Sequence, residues 1–396
     1  MKILLISHIF PPAVDGGSRV VWQLGQYFQA QGHDILALSS DCRSTDDFVN
    51  PKSSSLKLST QPIQVIRLPV HKNFCRPLKA VSLILPKNSL FRDFLNVLQK
   101  GPLFKLLPFI VALKKIKDFQ PDLIVAGPLP TTIILYALFI KKFTHTKLVI
   151  NASFHRTDPD FSKKPLINAL NQADLIWSLT RSEKIYFRKK LKIITQIKVL
   201  GNGVSPELLS IAPVKAPEDP VLLYIGSFAA HKRIEVLVQA FAKLSPDFPK
   251  LRLVLAGQKT LYYPNIEKFI NGLSWEIKKK IIIVANFSDS QLPELIDGSS
   301  ILIQPSVQES FGLVIIESMF RKRPVIAADI PSSSEIIKNS QGGLTFSADN
   351  SDNLADNIKS LLNDSALSHK LASSGFDYVN AHYTWDRIGE EILKCF

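Results

Sequence analysis

At 396 residues, with 46% apolar and 21% charged side chains, the chain is globular in composition and too long for one compact core, so two domains are expected. Three cysteines, Cys42, Cys75 and Cys395, stand far apart with no CxxC or Cys/His cluster, which argues against a disulfide framework or structural zinc and for a reducing compartment. The formal charge of +14 is lopsided: residues 1–200 hold 29 Lys+Arg against 12 Asp+Glu (+17), and residues 201–396 hold 19 against 22 (−3).

The first stretch, "MKILLISHIFPPAVDGG", has a basic residue and then an apolar run. The run is short, contains His8 and ends in Pro-Pro and Asp15 rather than in a small-residue cleavage site, so it reads as a buried strand and not as a secretory leader. "SRVVWQLGQYFQAQG" follows as a helix closed by Gly32, and "HDILALSS" as the next strand. Through "KNFCRPLKAVSLILPKNSLFRDFLNVLQKGPLFKLLPFIVALKKIK", Lys and Arg alternate with Leu, Phe, Ile and Val. Two readings stand: helices lying on an anionic membrane surface, or ordinary surface helices with Lys on the solvated side. No nucleic-acid motif accompanies the charge, and a nucleic-acid partner is not expected.

The run "LIVAGPLPTTIILYALFI", residues 123–140, has about the length of a minimal membrane span. Gly127, Pro128 and Pro130 break it into a strand and a helix opening near Thr131, so no transmembrane helix is expected. "PDLIVAG", "KLVINAS", "ADLIWSL" and "IKVLGNG" read as further strands. The three prolines of "ELLSIAPVKAPEDP", residues 207–220, suggest a linker. A second alternating series begins after it: "VLLYIGS", "LRLVLAG", "KIIIVANF", "SILIQPS" and "RPVIAAD". The pattern predicts two α/β, doubly wound Rossmann-like domains. The expected bounds are 1–205 for an N-terminal domain, 206–380 for a C-terminal domain, and 381–396 for a helix returning to the first. Ligands of such sheets bind outside the carboxyl ends of the strands.

In "VQESFGLVIIESMFRKRPVIAADI", residues 307–330, Glu309 and Glu317 bracket an apolar run. A helix beginning close to Ser310, with that serine as N-cap, would rotate by about 800° over eight residues. The two carboxylates would then lie roughly 80° apart in azimuth and about 12 Å apart along the axis. They are therefore not an acid/base pair on one spot. Between them, the amides of Phe311, Gly312 and Leu313 would face outward at a helix N-terminus, where free N–H groups and the macrodipole favour an anion. A ligand carrying hydroxyls, then phosphate, then a diol satisfies all three features, and a nucleotide-sugar is such a ligand. The alternative is an amphipathic helix with Glu317 neutralised by an arginine.

The E-x7-E element followed by "RPVIAADIPSSSEII" resembles the donor-binding signature of retaining glycosyltransferases of family 4, which have the GT-B fold of two facing Rossmann-like domains. "FPPAVDGGSRVVWQL", "LGNGV", "LYIGSFAAHKRIEVLVQAFAKL" and "LTFSADNSDNLADNIKSLLND" are similar to other segments of that family, strongly over 197–365 and weakly over 40–120. The resemblance implies that Gly16 and Gly17 bring backbone amides onto the donor phosphates and that Lys232 offsets charge on the diphosphate leaving group. It implies that His155, in "VINASFHRTD", faces the donor sugar. Glu309 would accept hydrogen bonds from sugar hydroxyls, and Glu317 would take the ribose diol.

One position departs from the family: Ser227 stands where an arginine normally binds the diphosphate. Arg233 or His231 would compensate, or the donor is held weakly, or the activity is altered. Asp158 and Asp160 form a D-x-D that reads as a turn. The expectation is a metal-independent transferase with no cofactor beyond its nucleoside diphosphate sugar. Its acceptor would be a glycan or lipid-linked glycan in cell-surface synthesis, and its location the cytoplasm or the inner face of the membrane. A nucleotide-sugar epimerase of the same fold and a noncatalytic sugar-nucleotide-binding protein are the alternatives.

Overall fold

The computed structural model describes residues 1–12, 15–42, 47, 62–71, 75–86, 89–99, 101–153, 162–210 and 212–396. They form two compact units, Met1–Gly203 with Trp385–Phe396, and Val204–Thr384.

The first unit is built on seven strands: β1 (Lys2–Ile6), β2 (Asp34–Ser40), β3 (Gln64–Leu68), β4 (Leu123–Ala126), β5 (Lys147–Asn151), β6 (Leu175–Ser178) and β7 (Ile197–Val199). All pair in parallel in the order β3-β2-β1-β4-β5-β6-β7. Leu4 lies opposite Leu36 on one side and Ile124 on the other. Helices cover both faces of such a sheet, so its inner strands must be apolar continuously rather than alternately; accordingly Ile3 to Ile6 and Leu123 to Ala126 are all fully buried.

Seven helices accompany these strands: α1 (Gly16–Ala30), α2 (Cys75–Ile84), α3 (Leu90–Leu98), α4 (Leu106–Phe119), α5 (Ile133–Thr144), α6 (Lys164–Gln172) and α7 (Arg181–Lys189). The C-terminal helix Trp385–Leu393 packs in this unit too. Its Trp385 meets Trp177 edge to face at 6.3 Å, and Glu391 pairs with Lys198 at 3.0 Å.

The second unit carries β8 (Val221–Ile225), β9 (Arg252–Gly257), β10 (Ile281–Ala285), β11 (Ile301–Gln304), β12 (Val325–Ala328) and β13 (Gly343–Phe346). These are parallel in the order β10-β9-β8-β11-β12-β13. The proline-rich segment after Ser205 is fastened to this unit by two buried arginines. Arg321 donates to the carbonyls of Leu208 and Ala212, and Arg323 to that of Val214. Arg321 pairs with Asp297.

Two strands escape the sequence reading, β3 and β13, and both are sheet edges. Burial explains the omission. In β3 only Leu68 is fully buried, and Arg67 sits inside the strand. In β13 only Phe346 is buried. Neither has the unbroken apolar run that marks an inner strand.

Each sheet reverses its strand order once, between β1 and β4 in the first unit and between β8 and β11 in the second. Such switch points part the connections leaving adjacent strands and leave a crevice at the carboxyl ends.

Candidate functional site

At the second unit's switch point the loops after β8 and β11 are joined by a backbone bond from the Val307 amide to the His231 carbonyl, 3.0 Å. A short 3-10 turn, Ala230–Lys232, carries Lys232 into this junction. There its Nζ meets Glu309 Oε1 at 2.5 Å, with the two side chains only 15% and 11% exposed. The same carboxylate oxygen accepts from Gln304 Nε2 at 2.6 Å, and the Glu309 carbonyl accepts from Ser332 Oγ at 3.1 Å. Lys232 and Glu309 are thus one charged cluster, set by the close packing of two strand ends.

Sequence reasoning missed Gln304 and Ser332. Gln304 is the last residue of an apolar strand and is 2% exposed; its Oε1 has no partner among the described residues. A glutamine ending an otherwise apolar strand was the signal available for it, because a buried amide must bond to something.

The helix after β11 does not begin near Ser310. It runs from Leu313 to Phe320, and its N-cap is Gly312, at φ 100° and ψ 61°, with no side-chain cap. The left-handed conformation, which only glycine adopts freely, starts the helix here. Glu309 therefore precedes the helix, and the azimuth expected from an unbroken helix between the two glutamates does not apply. Leu313 rather than Phe311 is the first helical residue, while Phe311 is a core side chain, 1% exposed, edge to face with Tyr383 at 5.3 Å. The uncapped start leaves the first helical N–H groups without intrahelical partners.

Glu317 lies one turn into that helix, 2% exposed, and its Oε1 accepts from Ser205 Oγ. Ser227 follows β8, and its carbonyl accepts from Tyr224 Oη at 2.9 Å. Burial first, and then Glu309 and Glu235, hold the Tyr224 phenol well above its usual pKa, so that it remains a neutral donor. Arg233 turns away to Asp349, with Nε 2.8 Å from the carboxylate and the side chain 42% exposed.

In the first unit, Gly16 and Gly17 are the first two residues of α1. A Cβ on Gly17 would come within 2.6 Å of Pro128, which follows β4, so glycine is needed there for packing. Asp15 caps the helix: Oδ1 accepts from the Ser18 amide at 2.8 Å, and Oδ2 meets His8 Nε2 at 2.5 Å. Burial pushes the Asp15 carboxyl up, but His8 and Ser18 bring it down to about 2. The carboxylate thus already occupies this helix start.

His155, Asp158 and Asp160 lie outside the described residues. Among the described residues, no group of three or more His, Cys, Asp or Glu is placed to hold a metal ion, and no helix is long and apolar enough to cross a membrane.

The chain matches two family models in succession, Glycosyltransferase Family 4 over residues 14–208 and Glycosyl transferases group 1 over residues 208–377. Alpha-D-kanosaminyltransferase of Streptomyces kanamyceticus is 27% identical over 177 residues, and that match spans 45% of each protein. Glycogen synthase of Mycobacterium tuberculosis is 22% identical across 100% of this chain and 94% of its own. The crystal structure of Anabaena HepE in complex with UDP and glucose superimposes with a TM-score of 0.70 at 16% identity, covering 100% of this chain and 98% of that one.

These matches and the two parallel sheets define a glycosyltransferase enzyme of the GT-B fold. More particularly, the chain is family 4-like, with its N-terminal half matching that family's model and its C-terminal half the group 1 model.

Proposed function

We propose that the enzyme transfers a hexose-type sugar, with retention of configuration, from a nucleoside diphosphate sugar to an acceptor hydroxyl. The Lys232–Glu309–Gln304 cluster beside an uncapped helix start carries this reading. Lys232 and the first amides of helix Leu313–Phe320 hold the diphosphate, where negative charge grows as the sugar C1–O bond breaks. Glu309 accepts hydrogen bonds from the sugar hydroxyls, and Glu317 from the ribose diol.

The acceptor oxygen forms the new bond to C1 on the face the diphosphate leaves, and its proton passes to a diphosphate oxygen. Such a reaction depends on positioning and charge stabilisation and needs no metal ion. HepE was crystallised with UDP and glucose and also with UDP-glucose, which supports a UDP-sugar as the first donor to try. We assign the acceptor to a glycan or lipid-linked glycan, and the enzyme to the cytoplasmic side of a membrane.

The test is nucleotide release from a panel of nucleoside diphosphate sugars with glycan and lipid-linked acceptors, using Glu309→Ala as control and reading product configuration by NMR. Donor-dependent release with a retained anomer is expected. An inverted product overturns the stereochemical assignment; binding without turnover for every acceptor makes the protein a sugar-nucleotide binder, and absence of binding removes the site.

A further inference from the structure

Of the 21 exposed large apolar side chains among the described residues, ten fall within residues 81–111, in α2, α3 and the first half of α4. On α4 they form one face, with Leu106 67%, Leu107 75%, Ile110 51% and Val111 59% exposed. The spacing i, i+1, i+4, i+5 puts all four on the same side of two turns. The opposite side is the one that packs: Ala112 and Ile116 are buried, and Phe109 meets Tyr136 of α5 edge to face at 5.1 Å. A run of exposed apolar side chains along one helix face, rimmed by polar ones, marks an interaction site.

Its occupant is indicated by charge. Residues 75–119 hold nine Lys+Arg against two Asp+Glu. Lys105 precedes the apolar turns of α4 and Lys114 and Lys115 follow them, all exposed, with no ion pair among the described residues. An apolar strip flanked by unpaired lysines matches the boundary between acyl chains and anionic headgroups. A second protein would need matching acidic residues, and this chain's own second half, at −3 net, is nearly neutral.

The face is also held firmly. Lys105 N donates to the Pro69 carbonyl at 2.9 Å, His71 N to the Leu103 carbonyl at 2.8 Å, and Phe104 N to Tyr136 Oη at 3.0 Å. These bonds fix the start of α4 just beyond the carboxyl end of β3, the outermost strand on that side of the sheet.

We infer that the Leu106–Val111 face of α4, with Lys105, Lys114 and Lys115, seats the first unit on an anionic phospholipid surface. This gives the membrane side of the proposed function a specific site, and it is tested without donor or acceptor, so that its failure leaves the transfer reaction standing. The full-length protein is sedimented with vesicles of phosphatidylcholine, with and without phosphatidylglycerol.

Binding is expected to the anionic vesicles and to weaken with salt. Lys114→Glu with Lys115→Glu is expected to weaken it by about tenfold or more, as is Leu107→Ser with Ile110→Ser. Lys268→Glu with Lys338→Glu, an equal charge change in the second unit, is expected to leave it unchanged, and thermal melts verify that each variant is folded. Equal binding to neutral vesicles, or equal loss in the second-unit variant, overturns the inference. So does self-association by analytical ultracentrifugation that Leu107→Ser with Ile110→Ser abolishes while vesicle binding persists.

Discussion

Each unit has a helix start marked by glycine beside a switch point of its sheet, and the two are differently finished. In the first, Gly16 and Gly17 open α1, and Asp15 closes it with a carboxylate bonded to the Ser18 amide and to His8. In the second, Gly312 opens helix Leu313–Phe320 in the left-handed conformation with no side-chain cap, and Glu309, just before it in the chain, is bonded to Lys232. Glycine near a helix start thus says little by itself; the residue supplying the cap decides whether the positive end of the dipole is spent internally or left for a ligand. We therefore propose anion binding at the second start and a packing and capping role for the first.

The largest effect expected from this contrast is at the cluster. Lys232→Ala removes the charge proposed to oppose the leaving diphosphate and leaves Glu309, 11% exposed, without its cation. Turnover is expected to fall by about 10²–10³-fold, the scale for losing one donor to developing charge. Glu309→Ala should cost turnover similarly while Lys232 stays available to bind nucleotide. Steady-state kinetics with the donor found active separates the two, and an unchanged kcat in Lys232→Ala would remove the lysine from the chemistry.

The next effect is obtained by giving the open start a cap of its own. Gly312→Asp and Gly312→Asn share one shape, and both residue types tolerate the left-handed region better than others do. A Cβ there meets Ile315 Cδ1 at 2.9 Å, a movable side-chain end. The two variants should lose stability alike, by about 1–2 kcal/mol. Only the aspartate adds negative charge where phosphate would sit, so nucleoside diphosphate should bind it about tenfold more weakly than the asparagine variant, ~1.4 kcal/mol. Equal affinities in calorimetry would mean that the phosphate lies elsewhere.

How much of this was legible follows the physics of each element. The inner strands announce themselves because burial on both faces forces a continuous apolar run, whereas edge strands β3 and β13 do not. The GT-B architecture was readable from that alternation together with the E-x7-E segment. The helix start at Gly312 was misplaced by two residues because Ser310 is a good cap by composition, and nothing local shows that the chain will instead turn left-handed at a glycine. The Lys232–Glu309 contact spans 77 positions. It follows from β8 and β11 being neighbours, a property of sheet order that spacing along the chain does not contain. Ser227 remains without a replacement cation from Arg233, whose guanidinium is turned to Asp349.

The smallest expected effect concerns the closed start and is read in acid. Asp15 has a folded pKa of about 2 against 3.8 for the unperturbed carboxyl. The unfolded chain therefore takes up this proton first as pH falls, so the contribution is full above 3.8 and is lost as pH drops toward 2. Asp15→Asn preserves an oxygen to accept from the Ser18 amide but abolishes the charge facing His8. Urea midpoints should show the native protein more stable than Asp15→Asn at neutral pH, with the gap narrowing through that acidic window. A gap that is constant with pH would mean that shape rather than charge sets the difference. The carboxylate's charge would then not be what ties it to this helix start, and the contrast between the two starts would rest on the open start at Gly312 alone.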